Sequence, residues 1–133
     1  DPAEFVVPDK RLKGAFYLQG VWRQTDESIV HSRSSPEFAD YILVSYQAGE
    51  VNSVLQNLGT DAFKVQVTLD GSPIPRDYRG SDILWDGEAL QTYVMVKEDR
   101  MYQIIQSAKS GSHELILAPE SENFALHTFT FGP

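Results

Sequence analysis

Between Phe63 and Leu69 the chain reads FKVQVTL, with Phe63, Val65, Val67 and Leu69 at alternate positions and Lys64, Gln66 and Thr68 between them. A period of two sends successive side chains to opposite faces of a strand, whereas a helix would scatter them around its axis. The same alternation recurs in HELIL at 113–117 and LHTFTFG at 126–132, and further strands are expected at 15–22, 28–33, 41–47, 51–55, 83–85, 90–96 and 101–106. Turn-forming residues separate these runs: Ala-Gly-Glu at 48–50, Asp-Gly at 70–71, Asp-Gly-Glu at 86–88 and Lys-Ser-Gly-Ser at 109–112. About nine or ten short strands with no convincing helical segment predict an all-β fold, an antiparallel and jelly-roll-like β-sandwich.

At 133 residues, 41% of them hydrophobic, the chain supplies one sizeable core and not two. Residues 15–133 are expected to form a single domain, and the opening segment, residues 1–14, reads as a linker or N-terminal tether. Starting at Asp1 without a charged-then-apolar leader, the chain reads as a mature product or an excised piece of something longer. Its longest apolar run, YILVSY, falls far short of the ~18 residues that a membrane-spanning helix needs. Nineteen acidic against eleven basic side chains give a net charge of −8, and the Lys and Arg residues are scattered. Phosphate neutralisation requires a basic stripe, so nucleic acid and anionic membrane surfaces are disfavoured as partners. Without cysteine the chain has no disulfide, thiol nucleophile or thiolate metal site, and nothing in it calls for a cofactor.

Catalytic patterns are equally sparse. His31, His113 and His127 fall on three different expected strands without metal-ligand spacing, and the chain lacks HExxH, P-loop, GxSxG and dinucleotide-binding motifs. Glu27, Asp70, Asp82, Asp86 and Glu88 could in principle pair as glycosidase carboxylates, but most of them stand where a turn wants Asp for backbone reasons. The expectation is a noncatalytic domain. A structural calcium ion held by Asp82, Asp86 and Glu88 is an alternative use of these acids, without the spacing of a dedicated calcium loop.

Several segments taken in order do resemble a known family. FYLQGVWRQTDESI carries an L-x-G-x-W core with acidic residues after it, followed by VQVTLDGSPIP, GSDI, EDRMYQIIQ, HELIL and the terminal FTFG. This ordered set, spanning Phe16 to Gly132, is similar to the β-sandwich domains at the C-terminus of thioredoxin-like proteins, including DipZ-type cytochrome c biogenesis and thiol–disulfide interchange proteins. The resemblance implies a thioredoxin-fold domain of the same parent protein as partner, an extracytoplasmic location in the periplasm or cell envelope, and a likeness to carbohydrate-binding modules. RMYQII departs from it conservatively, since the family more often has Leu and Val there. The redox chemistry belongs to the thioredoxin part and does not carry over to this chain.

Sugar recognition by a β-sandwich needs flat apolar rings and planar polar groups. Trp85 lies in SDILWDGE beside Asp82, Asp86 and Glu88, next to the long loop at 71–82 that holds Tyr78, and is the candidate stacking ring; Trp22 is expected in the core. At the mouth of RMYQII, Arg100 and Tyr102 share one strand face. Arg100 has two readings: an ion pair with Asp70, Asp82 or Glu27 that fixes a hairpin end, or a ligand contact alongside Tyr102. The candidate ligand-binding set is thus Trp85, Tyr78, Asp82, Asp86, Arg100 and Tyr102, serving a glycan. Its rival is a purely architectural or protein-interaction domain packed on the thioredoxin-fold partner, with no sugar site.

Overall fold

The computed structural model describes all residues, 1–133. Ten strands, joined by one short 3-10 turn at Arg76–Tyr78, fold into a β-sandwich: β1 (Ala3–Phe5), β2 (Phe16–Gln24), β3 (Ile29–His31), β4 (Tyr41–Asn57), β5 (Phe63–Leu69), β6 (Ser72–Pro73), β7 (Leu84–Asp86), β8 (Gln91–Val96), β9 (Arg100–Pro119) and β10 (Phe124–Gly132). Two long strands, β4 and β9, form its spine and pair antiparallel from Ile42↔Leu117 to Leu55↔Arg100. The turns expected at 48–50 and 109–112 do not exist. Both places are instead a large bulge, where Gly49 alone stands opposite residues 107–110 between the pairs Ala48↔Gly111 and Glu50↔Gln106. Bulges and tight turns use the same small residues, and here the irregularity bends a continuous strand pair instead of reversing it.

Because the spine bends, its two halves enter two layers. The first half of β4 pairs with β2 and with the second half of β9, beyond which lie β5, β8 and β7; the second half of β4 pairs with the first half of β9 and with β10, beyond which lies β3. Val65, Val67, Leu115 and Leu117 face Val51, Leu55, Ile104 and Phe124 across one core, as period-two patterning requires. Trp22 is fully buried there as expected, edge-on to Phe124 at 6.1 Å between ring centroids.

The N-terminal segment is not a free tether. Ala3–Phe5 pairs with Gly20 to Trp22, and Phe5 packs on the core. Residues 6–13 then strap the outer face of the first layer: Val7 N–H donates to Gln19 Oε1 (2.9 Å), Leu12 N–H to the Tyr17 hydroxyl (2.8 Å), and the Arg11 guanidinium to both oxygens of Glu114 (2.5 and 2.7 Å). Leu43 pairs with Tyr17 on that outward face, yet it is only 4% exposed, because the strap crosses above it. Pro2 and Pro8 bracket the segment and give it the look of a linker, while its anchors lie up to 103 residues away.

A buried polar cluster joins the loop after β3 to this frame. Asp40 is 1% exposed and accepts from Arg33 Nε (2.7 Å) and Nη2 (2.6 Å), while His31 Nε2 lies 2.9 Å from Asp40 Oδ2. The other ring nitrogen of His31 donates to Ser121 O at 2.8 Å, and its ring lies against Trp22. Both nitrogens are thereby occupied and sealed from solvent, so this His–Asp pair holds the fold and has no base to offer a substrate. Gly20 makes room for it: φ there is +101°, and a Cβ would come 1.9 Å from Asp40 Oδ1.

Burial alone would push the Asp40 carboxyl up, but hydrogen bonds from Arg33, His31 and Val21 N–H outweigh it and hold the group below its ordinary value of 3.8. Asp82 is lowered in the same way by Arg100 and Gln103 N–H against its own burial, and Glu114 by its bond to Arg11. A group whose pKa is depressed on folding adds stability that is present above its unfolded value and lost as the pH falls through the folded one. The melting temperature is therefore expected to be flat from neutral pH down to about 4 and to fall below it. Scanning calorimetry across that range checks this; an unchanged melting temperature at pH 3 would contradict it.

Candidate functional site

The segment after β6 is where sequence analysis placed the ligand, and its backbone is firmly held. Gly80 N–H donates to Ile104 O (2.8 Å), Asp82 N–H to Gln103 O (3.2 Å), and Arg79 bridges to Ile105, so residues 79–82 lie alongside β9 like an extra edge strand. Gly80 permits this contact, since a Cβ there would come within 2.4 Å of Gln103 O. Ile74, fully buried, plugs the loop into the core and donates its N–H to Thr92 Oγ1. From this base the chain crosses to β7, the last strand of its layer, and presents Trp85 at the rim.

Trp85 pairs with Thr92, whose side chain points inward, but the sheet ends at β7 and the indole remains 46% exposed. The Arg79 guanidinium lies over it, 4.9 Å from the ring centroid. Arg79 Nε in turn donates to Ile74 O, which holds the cation in place. The result is a ring braced by a planar cation and open to solvent along an edge strand, the kind of surface that stacks on an apolar ligand face. Asp86 caps the adjoining turn by accepting from Ala89 and Glu88 N–H, bonds that hold its carboxyl below the ordinary range, and lies 3.7 Å from Lys64 Nζ. Lys64 sits over the Tyr93 ring at 4.5 Å, on the outer face of the same strands. Leu84, Leu90 and Met95 are exposed large apolar residues of this β7–β8 region.

Of the two readings of Arg100, the structure supports the ion pair. Nη2 lies 2.9 Å and Nη1 3.3 Å from the two carboxylate oxygens of Asp82, one of the three acids considered, and Asp82 Oδ2 also accepts Gln103 N–H at 2.7 Å. Arg100 therefore pins the loop bearing Trp85 to β9. Since Arg100 is 43% exposed, solvent screening puts the pair near the low end of its class. Arg100→Ala is expected to lower stability by about 1 kcal/mol, read from the denaturant midpoint; no change at all would remove the pair from the account.

Two candidates are placed differently from the expectation. Tyr102 does share its strand face with Arg100, but that face is the core: it is 1% exposed, its hydroxyl donates to Glu98 O (2.7 Å), and its ring is covered by the Arg100 guanidinium at 3.8 Å. It has no free face for a ligand. Tyr78 packs partly into the core and meets His113 edge-on at 5.6 Å, instead of standing beside Trp85. None of the five surface concavities is lined by Trp85 or Tyr78, so no common groove unites them. Of the acids weighed for calcium, Asp82 is held by Arg100 and Asp86 by its own turn, and no three His, Asp or Glu side chains are grouped to hold a metal. Arg79 was not singled out from the sequence; an Arg six residues before a Trp carries no signal until the loop folds back.

The sequence model of the thioredoxin-like C-terminal domain family matches residues 1–132. No curated protein matches the sequence significantly. Among solved structures, the chain is similar to a family two carbohydrate esterase from Clostridium thermocellum in complex with cellohexaose (TM-score 0.64, 14% identity, covering 89% of this chain and 31% of that one). It is also similar to a family two carbohydrate esterase from Cellvibrio japonicus (TM-score 0.61, 14% identity, covering 89% and 32%). At that identity the likeness is one of fold, and the chain spans about a third of each esterase.

Proposed function

The chain belongs to the thioredoxin-like C-terminal domain family, and from that premise we propose a noncatalytic accessory domain, attached to a thioredoxin-fold domain in an extracytoplasmic parent protein, that holds saccharides weakly at Trp85. The observation that carries the proposal is the Trp85 ring itself, half exposed on a rigid rim and backed by Arg79. A ring held open on an edge strand under a fixed cation is available for stacking. Two features support binding without chemistry at this rim: Asp82 and Asp86 are tied to Arg100, to Lys64 and to backbone amides, and no histidine lies among them. The fold shared with the carbohydrate esterases, one of them solved with cellohexaose, is compatible with a saccharide-handling role and does not by itself assign one.

One ring at a flat rim supports only weak binding, with a dissociation constant on the order of 1 mM, or about −4 kcal/mol. Trp85→Ala is expected to abolish it while leaving the denaturant midpoint within about 0.5 kcal/mol, as for other surface substitutions, and Trp85→Phe to retain part of it. Calorimetric titration with oligosaccharides of cell-envelope and plant type tests this; equal affinity in wild type and Trp85→Ala would overturn it. A second reading is favoured by the exposed Leu84, Leu90 and Met95 of the β7–β8 region, apolar side chains better suited to protein than to sugar. On that reading the β7–β8 rim docks on the thioredoxin-fold domain, and adding that domain, rather than any sugar, perturbs Trp85.

A further inference from the structure

At the end of the sandwich closed by the Asp70–Gly71 turn lies a concavity of about 280 Å³ with no hydrophobic residue in its lining. That is close to the lower bound of small-ligand sites, about 300 Å³. Its centre is a His–Asp pair quite unlike the buried one: His113 Nδ1 lies 2.6 Å from Asp70 Oδ2, and Asp70 Oδ1 accepts Glu114 N–H at 2.8 Å. Donation from Nδ1 to the carboxylate leaves Nε2 of the neutral ring as an acceptor, and no side chain of the protein bonds to it. The serines of the pocket, Ser45 and Ser112, make no bond to the imidazole, so there is no activated nucleophile.

What surrounds Nε2 is shaped for approach. Gly111 stands beside it, and a Cβ at that position would come within 2.9 Å of Nε2. The absence of a side chain there keeps the lone pair open. Tyr78 packs edge-on against the His113 ring at 5.6 Å and steadies it from outside the lining. Glu114 and Arg11 form a fixed, bidentate pair on one side, and Lys13 lies in the lining without any carboxylate partner. Behind the pair, the Tyr46 hydroxyl is buried with no hydrogen-bond partner. The lining thus offers His113 Nε2 as an acceptor and Lys13 and the serine hydroxyls as donors, beside Asp70, Glu114 and Arg11, which are held in ion pairs and hydrogen bonds of their own. Neighbouring hydroxyls on a sugar ring, each both donor and acceptor, match such a set, whereas a single-charge ligand would leave half of it unused.

We propose that this pocket, centred on His113 Nε2, is a second saccharide site that takes a pair of adjacent ring hydroxyls at a chain end. It shares its ligand class with the Trp85 reading but stands on different residues. The two are linked through the chain, since Tyr78 packs on His113 and its neighbour Arg79 backs Trp85.

The test is a titration of the whole domain with methyl glycosides of glucose, galactose and mannose, followed by the imidazole nitrogen and Cε1–H signals of His113. The expected result is a saturable shift at His113 Nε2 that persists in Trp85→Ala. In Gly111→Ala, where the new methyl group crowds Nε2, affinity should fall at least tenfold. If the Trp85 indole responds and His113 does not, this inference fails and the rim reading stands; if His113 responds and Trp85 does not, the inference stands and the rim reading fails. Silence at both overturns both, and a His113 shift undiminished in Gly111→Ala overturns the site as drawn here.

Discussion

Asp40→Ala is expected to cost about 3–5 kcal/mol, the range for breaking a buried charge pair by removing one partner. Four N–H groups converge on this carboxylate, one from His31, two from Arg33 and that of Val21, and His31 would remain sealed in the core with Nε2 facing a void. The loop at 32–40 would also lose its anchor over Gly20, between the part of β2 that pairs with β3 and the part that pairs with β4. Urea denaturation of wild type and variant gives the difference directly. A loss of less than about 1 kcal/mol, the worth of a single ordinary hydrogen bond, would mean that the cluster is incidental to the fold. The isosteric Asp40→Asn separates charge from shape: it keeps the volume and one acceptor, and is expected to lose less than the alanine variant.

Removal of residues 1–14 is the second large effect. The strap shields Leu43 on a face that would otherwise meet water, and exposing a leucine of that kind costs about 1.5–3 kcal/mol; β1 and the contact of Phe5 with the core go with it. A total near 3 kcal/mol or more is expected, visible as a lowered denaturant midpoint and as faster hydrogen exchange at Gln19, Gly20 and Val21. If the truncated chain is as stable as the intact one, the segment is a tether after all. Should the expected loss be found, Ala3–Phe5 belong to the folded domain as a strand of its sheet, not to a loose cord.

The strands were legible because alternation is a local property: Phe63–Leu69 occurs where the pattern puts it, and the Asp70–Gly71 reversal follows from turn chemistry that only such residues satisfy, with φ of +52° and +83°. The continuity of β4 and β9 was not legible. Gly49 and the Ser and Gly residues at 107–112 give the same signal in a bulge as in a hairpin, and only the pairing of distant strands decides between them. Side-chain chemistry shows the same division. Arg100 and Asp82, 18 residues apart, could be paired by reasoning about hairpin ends. By contrast, the alternation that grouped Tyr102 with Arg100 says which residues share a face and not which face meets the core. His113 and Asp70 are 43 residues apart, and each looked like an isolated polar residue until the β5–β9 pairing brought them within 2.6 Å. Gly20, Gly80 and Gly111 stood within segments the sequence analysis quoted, but why each must be glycine lies in what a Cβ would strike.

The two tryptophans permit one decisive measurement. Their indole N–H groups give two well-separated kinds of signal: Trp22 is fully buried and donates to Gln19 O at 2.8 Å, whereas Trp85 stands at the rim under Arg79. Proton–nitrogen spectra recorded while the domain is titrated with oligosaccharides, cellohexaose included, should show the Trp85 indole moving with half-saturation on the order of 1 mM while Trp22 stays fixed as an internal control. If neither signal moves across the panel, and the thioredoxin-fold domain shifts the Trp85 signal instead, the rim is a docking surface and the saccharide-binding account is wrong.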